Sequence, residues 1–250
     1  MRVQNAVVLV TGANRGIGSA LVTAFLERGA ARVHAGARDP GTLAAVTAQD
    51  PERVHPLALD ITDPTSVTSA ALTASDVTVL VNNAGTHAMG HLLEMDLRDV
   101  EAVMNTNWLG TLRVLRAFAP VVESNGGGAV ANVISVGAFG GTPSMGGYPA
   151  SKAALNALTQ AVRLDLAPRG IAVHAVFPGP VDTDMLRLTT DTLPAMTGFP
   201  RATTADVARA IVDGVEADAE EIFPDPFAEQ IGEEWRRDPK AVERRLTAIE

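Results

Sequence analysis

The 250-residue sequence contains no cysteine, one tyrosine, two lysines and only 4% aromatic residues. Without thiols there is no disulfide framework, no zinc-thiolate centre and no cysteinyl iron-sulfur cluster, so nothing points to an oxidising compartment. Long apolar runs are missing too. Stretches such as Ala6 to Val10 and Val77 to Val81 fall far short of the roughly 20 residues that cross a bilayer as a helix. Met1-Arg2 leads directly into a strand-like run, with no hydrophobic stretch and cleavage pattern of a secretory signal. A cytoplasmic protein is expected. Positive charge is scarce as well: 20 basic residues against 29 acidic ones give a net charge of -9. That balance opposes binding to nucleic acid, whose phosphates demand clustered cations.

What is present is a chain with 46% hydrophobic residues, ample for a sizeable core. Short runs rich in Val, Ile and Leu recur at Ala6 to Val10, Arg32 to Ala35, Val54 to Leu59, Val77 to Val81, Val130 to Ile134 and Ile171 to Phe177, with a last one near Ile222 and Phe223. Between them lie segments with helical periodicity, such as Ala20, Leu21, Ala24 and Phe25, then Val100, Val103, Met104, Leu112, Leu115 and Ala119. Runs apolar at successive positions suit strands buried on both faces, and alternation with helices implies right-handed crossovers and a parallel sheet. A doubly wound α/β domain is expected. No stretch is long enough or biased enough to be a linker, so the reading is one domain over 1–250. Near the end, Phe227, Ile231 and Trp235, then Val242, Leu246 and Ile249, mark one face of two helical segments parted by Asp238-Pro239. This extension, about 226–250, is expected to pack against the body or a sister subunit, with a lid role as the alternative.

After the first strand comes Thr11-Gly12-Ala13-Asn14-Arg15-Gly16-Ile17-Gly18, running into a helix. Glycines between a strand and a helix let the backbone turn tightly and approach a pyrophosphate, which the helix N-terminus stabilises. The spacing differs from the dinucleotide fingerprint G-x-G-x-x-G. The second strand ends Ala37-Arg38-Asp39, about twenty residues further on, where such folds read the adenosine ribose. Arg38 and Arg15 could fork onto a 2'-phosphate. The expectation is therefore NADP(H), the rival being that Asp39 faces the ribose and selects NAD.

Tyr148-Pro149-Ala150-Ser151-Lys152 opens a long helical segment. Tyr148 and Lys152 are four apart and share one helical face. A neighbouring ammonium favours phenolate, so a lowered Tyr148 pKa is expected. Ser135 ends the strand before this helix and could hydrogen-bond the same substrate oxygen. Each residue has an ordinary explanation alone: an amphipathic helix start, a solvated cation, a turn hydroxyl. Together they look selective, because Lys and Arg differ in shape and titration, and one of only two lysines stands a turn beyond the only tyrosine.

With these motifs in order, the chain resembles the short-chain dehydrogenase/reductase family, in its compact single-domain branch, over essentially its whole length. The resemblance rests on Thr11-Gly12-x-x-x-Gly16-x-Gly18, Asp60-Ile61, Asn82-Asn83-Ala84-Gly85, Asn107, Ser135, Tyr148-x-x-x-Lys152 and Pro178-Gly179-Pro180-Val181-x-Thr183. It implies a Rossmann-like doubly wound parallel sheet flanked by helices on both faces, and hydride transfer between a nicotinamide and an alcohol or carbonyl carbon. Tyr148 would be general acid in reduction and base in oxidation, Ser135 would polarise the carbonyl, and Lys152 would hold ribose hydroxyls. Asn107 would hold a water feeding protons towards Lys152. Gly12, Asn14, Arg15, Gly16, Ile17, Gly18 and Arg38 would face the cofactor's phosphates and adenosine, Asp60 and Ile61 its adenine. Asn83, Ala84 and Gly85 would support the cofactor, and Pro178, Gly179, Val181 and Thr183 would meet its nicotinamide end. Phe139, Met145, Met185, Leu186, Leu188, Leu193, Met196 and Phe199 would wall the pocket, under a lid at about 182–205. The substrate would be an apolar ketone or aldehyde, or the corresponding secondary alcohol. A homo-oligomer, tetramer or dimer, would form through the helices spanning Leu97 to Glu123 and Tyr148 to Pro168.

Two features depart from the family's pattern. The segment between Asp60 and Asn82 is short, so the helix around Pro64 to Ala71 is expected to be truncated or partly 3-10, and Pro149 stands where a small or polar residue is usual. Other classes fit less well. A serine hydrolase would want G-x-S-x-G, whereas Ser135 follows Val133-Ile134. His87 and His91 have helical spacing for a metal pair but Gly90 lies between them and no carboxylate completes a set, so no metal is expected. Epimerase and dehydratase relatives usually carry a larger C-terminal domain. The alternative from another class is a catalytically silent NADP-binding redox sensor.

Overall fold

Seven parallel strands form one sheet in a computed structural model that describes residues 2–193 and 197–248. In chain order they are β1 (Val7–Thr11), β2 (Arg32–Ala37), β3 (Val54–Ala58), β4 (Val79–Asn82), β5 (Gly128–Val133), β6 (Ile171–Val176) and β7 (Glu221–Ile222). The spatial order is β3-β2-β1-β4-β5-β6-β7. Every pairing is parallel, with Val8 opposite Val33 on one side and Val79 on the other. The chain winds outward from β1 in one direction and resumes from β4 in the other. Crossover loops therefore part between β1 and β4 at the strands' carboxyl ends, the crevice where such sheets bind ligands.

The helices are α1 (Gly16–Glu27), α2 (Ala44–Thr47), α3 (Pro64–Thr73), α4 (Leu97–Met104), α5 (Thr111–Ser124), α6 (Tyr148–Leu166), α7 (Asp184–Thr192), α8 (Thr204–Glu216), α9 (Pro226–Arg237) and α10 (Pro239–Thr247). Val8, Val10, Val33 and Val79 pack on one face against Leu21 and Phe25 of α1 and Ile211 and Val215 of α8. Leu9, Leu80 and Val130 pack on the other against Val67 of α3 and Val114, Leu115 and Phe118 of α5. That two-sided burial is why β1 and β4 read as continuous apolar runs rather than alternating ones. No helix among the described residues is long and apolar enough to cross a membrane.

The helix after Asp60 corrects one expectation. α3 is a regular ten-residue α-helix, neither truncated to a turn nor 3-10. Asp63 accepts hydrogen bonds from the Thr65 and Ser66 amides, and Pro64 supplies the fixed φ of a first helical position. The brevity of the segment is absorbed by a well-capped helix. Between α4 and α5 the chain instead passes through a π-helical stretch, Asn105–Gly110, which sequence periodicity did not signal.

At the end of the chain, Phe227, Ala228 and Ile231 of α9 and Val242 and Leu246 of α10 bury against Ile134, Phe139, Leu155 and Phe177. The extension thus packs on the body, as expected. Ile249 lies outside the described residues.

Candidate active site

A cleft of about 670 Å³ opens at the carboxyl ends of the strands. Its first wall is the turn from β1 into α1. Gly12 has φ +64, and a Cβ there would come within 2.9 Å of the Ala84 Cα. At Gly18 a Cβ would meet the Gly12 carbonyl oxygen at 2.1 Å, so the glycine spacing is a packing requirement. Asn83 holds the turn from behind: its Nδ2 donates to the Thr11 and Gly12 carbonyls at 2.9 and 3.2 Å. Thr11 Oγ1 in turn accepts from the Asn83 and Ala84 amides, both at 3.0 Å. The helix that follows has no capping side chain and no acid in its first turn, leaving its first amides open for an anion.

Asn14, Arg15, Gly16, Ile17, Arg38, Asp60, Ile61, Ala84, Gly85, Pro178, Gly179, Val181 and Thr183 also line this cleft, so the structure brings the sequence-derived set together. Arg15 has found a partner the sequence did not reveal: its guanidinium lies 3.3 Å from Asp184 at the start of α7. Asp39, the residue that would select NAD, caps the following 3-10 turn, accepting from the Gly41 amide at 2.9 Å. Asp60 is likewise engaged, accepting from the Thr62 amide and hydroxyl at 2.8 and 2.7 Å.

At the other end stand Ser135, Tyr148 and Lys152. Ser135 follows β5, and its hydroxyl accepts from the Gly137 amide at 3.0 Å and hydrogen-bonds Tyr148. Tyr148 and Lys152 occupy the first turns of α6, with Lys152 Nζ 5.7 Å from the Tyr148 ring centroid. Lys152 donates to the Val133 carbonyl at 2.9 Å. Burial lowers its pKa to about 8, because an ammonium is costly to keep from water. Tyr148 corrects an expectation: burial raises its pKa above 10.0, against the smaller downward pull of the Ser135 hydrogen bond. Sequence spacing revealed the ammonium beside the phenol but not that Lys152 is buried while Tyr148 lies half-buried on the cleft wall.

Asn107 is fully buried and does not line the cleft. Its amide is spent on protein, accepting from the Thr86 amide at 2.8 Å and donating to the Thr86 carbonyl at 2.8 Å and Ser151 Oγ at 2.9 Å. Ser151 donates onward to the Tyr148 carbonyl at 2.7 Å. The side chain therefore braces the loop after β4 against α6.

Met145, Met185, Leu186 and Phe199 line the same cleft as Tyr148. Phe139 is not part of it. Its ring stacks with Phe177, Phe223 and Trp235 at 4.9, 6.3 and 5.0 Å, in the core behind the wall. Leu188 is exposed and Leu193 buried in that same core, while Met196 lies outside the described residues. From the C-terminal helices, sequence reasoning missed the wall residues Phe227 and Leu246, because their apolar spacing marked a buried face without saying what it faces; it also missed Val136, Thr142 and Thr189. His87 also lines the cleft, its Nε2 3.3 Å from Thr189 Oγ1, whereas His91 is exposed.

The comparison with known proteins bears directly on this arrangement. The family model of short chain dehydrogenases matches residues 6–193. The chain belongs to the short-chain dehydrogenase/reductase family. It is 33% identical over 195 residues to the 3-oxoacyl-(acyl-carrier-protein) reductase FabG of Vibrio harveyi, covering 76% of this chain and 80% of that protein. It is 34% identical over 192 residues to the short chain dehydrogenase pigC of Monascus ruber, covering 72% of this chain and 63% of that one. Among solved structures, a short chain dehydrogenase from Burkholderia cenocepacia in complex with NADP shares 39% identity with a TM-score of 0.88, covering 98% of this chain and 99% of that chain. The protein is thus an oxidoreductase of this family with its Rossmann-like fold. The glycine turn, open helix terminus and continuous cleft fit a nicotinamide dinucleotide.

Proposed function

We propose that the protein is an NADP(H)-dependent reductase of apolar ketones or aldehydes, working as one domain over 1–250. The observation that carries this reading is the convergence of Ser135, Tyr148 and Lys152 on the apolar half of a cleft whose other half is the glycine turn. Gly12, Asn14, Gly16, Ile17 and Gly18 would hold the cofactor's phosphates, Asp60 and Ile61 its adenine, and Val181 and Thr183 its nicotinamide end. The bound nicotinamide supplies or accepts the hydride.

The chain's own residues manage the proton. Tyr148, protonated at neutrality because burial keeps its pKa high, donates its hydroxyl proton to the carbonyl oxygen. Ser135 hydrogen-bonds the same oxygen and orients it. Lys152, with a pKa of about 8, remains largely cationic at pH 7 and stabilises the phenolate as the proton leaves. Asn107 braces this corner through Thr86 and Ser151. Two features support NADP over NAD: Arg38 lines the cleft where the ribose edge would lie, and the Asp39 carboxylate is engaged in capping. The Burkholderia relative's NADP complex agrees.

NADPH oxidation against a panel of ketones and aldehydes tests the reading. Tyr148→Phe is expected to lose about 10²- to 10⁴-fold in kcat while its NADPH dissociation constant stays within about twofold. A Phe variant with parental rates overturns the role of Tyr148. A protein that binds NADPH and turns over no carbonyl is the silent redox sensor instead.

A further inference from the structure

We propose that the C-terminal hairpin of α9 and α10 is the specificity element of the substrate half: Phe227 and Leu246 form a fixed end wall that limits the length of an uncharged apolar chain on the carbonyl carbon. This rests on the carbonyl-reductase reading and adds what sets the substrate's size. Both residues lie beyond 193, where the family match ends.

Phe227 and Leu246 are 7% and 4% exposed, yet both line the same cleft as Ser135 and Tyr148. The wall is held from several sides. The Phe227 ring meets Phe199 edge-on at 5.3 Å and 83°. The Arg245 guanidinium lies 5.3 Å from its centroid and is itself paired with Glu234 at 3.0 Å. Further ties fasten the hairpin to the loops beside the site. Thr142, in the segment after Ser135, donates its hydroxyl to the Leu246 carbonyl at 3.2 Å. Asp225, only 6% exposed, accepts from the Gly179 amide at 2.8 Å and the Ala228 amide at 2.9 Å. The hairpin is thereby joined to the turns after both β5 and β6.

A ring held in this way cannot swing aside, whereas the unbranched side chains of Met145 and Met185, which line the same cleft, can adapt. Width is then adjustable and length is not. Among the described residues, the lysine and arginine side chains lining the cleft are Arg15, Arg38 and Lys152, and Arg245, which lies against the Phe227 ring without lining the cleft, is already paired with Glu234. A carboxylate or phosphate pushed against Phe227 and Leu246 would be desolvated without a partner, at heavy cost. The wall therefore selects an uncharged, apolar terminus.

The test measures kcat/KM with NADPH for 2-alkanones from butanone to undecanone. In parallel, binding of the matching 2-alkanols to the enzyme–NADP complex is followed by thermal shift. The parent, Phe227→Ala, Phe227→Leu and Leu246→Ala are compared, with NADPH affinity recorded for each. Phe227→Ala is expected to move the optimum about two to four carbons longer, each added methylene being worth about fourfold, with a smaller displacement in the other two. Should Phe227→Ala fail to fold, those two read the same wall. Unchanged length profiles with intact NADPH affinity overturn the proposal, and so does an equal loss at every length, the mark of a merely structural role. A parent that binds alkanols but reduces nothing removes the reductase reading alone, because the alkanol profile still reports the wall.

Discussion

Replacing Lys152 by methionine is expected to stabilise the protein near neutrality while removing its turnover. Lys152 is 4% exposed, and its ammonium donates to the Val133 carbonyl. Burial lowers its pKa from 10.5 to about 8. The unfolded chain holds the same proton up to about 10.4. Between those values the unfolded state binds more protons, so stability rises with pH; below pH 8 both states are charged and the burial penalty is present in full. At about 1.4 kcal/mol per pH unit, the shift corresponds to roughly 3 kcal/mol. Methionine, one atom shorter, keeps most of the unbranched stem and removes the charge, but deprives Val133 of its lysine donor, returning about 1 kcal/mol. The net of about 2 kcal/mol raises Tm by about 4–8 °C in a domain of this size. Thermal unfolding of cofactor-free parent and variant between pH 7 and 10.5 should show that gap at pH 7 and its narrowing as pH rises. A variant no more stable at pH 7, or a gap that widens with pH, would refute burial as the dominant influence on Lys152.

Two further predictions address the cofactor and the scaffold. Arg38→Ala should weaken NADPH binding about 10- to 100-fold, the scale of one charged hydrogen bond, with NADH binding changed less than about twofold; equal losses for both would sink the 2'-phosphate assignment. Asp225→Ala removes the carboxylate shared by the Gly179 and Ala228 amides and should cost about 2–4 kcal/mol, a lost cap plus a stranded amide donor. Chemical denaturation giving a loss under about 0.5 kcal/mol would show that water replaces it.

The fold was legible because its signals are local. Val7 to Val10 reads as a doubly covered strand, and the glycine turn and the four-residue step from Tyr148 to Lys152 follow from chain geometry alone. What escaped depends on contacts between distant segments. Arg15 was read for a phosphate, and its partner Asp184 lies 169 residues away. Phe139 is expected on the pocket wall and Phe227 on a packing face of the C-terminal extension; the assembled core sends the first into the stack with Phe177 and Trp235 and the second to the cleft wall. The Tyr148 pKa shows the same division. A lysine one turn away is visible in the sequence, whereas the burial that raises the phenol's pKa is a property of the assembled site.

That outcome has a kinetic consequence. Carbonyl reduction by NADPH consumes one proton, so the ratio of kcat/KM for reduction to that for oxidation must change about tenfold per pH unit whatever the enzyme does. The enzyme decides only which direction carries the change. With Tyr148 held above 10.0, the phenol is in its donor form throughout the neutral range, and reduction should be nearly level between pH 6 and 8 at about constant ketone and NADPH. Oxidation of the matching alcohol needs the phenolate, whose fraction grows about tenfold per unit below the pKa, so it should carry essentially all of the slope. Had Lys152 depressed the phenol well below neutrality, the pattern would be inverted: level oxidation and a reduction rate falling about tenfold per unit. Matched pH profiles of kcat/KM for one ketone and its alcohol separate the two, and a reduction limb that falls from pH 6 upward would show that the phenol is ionised where burial says it is not.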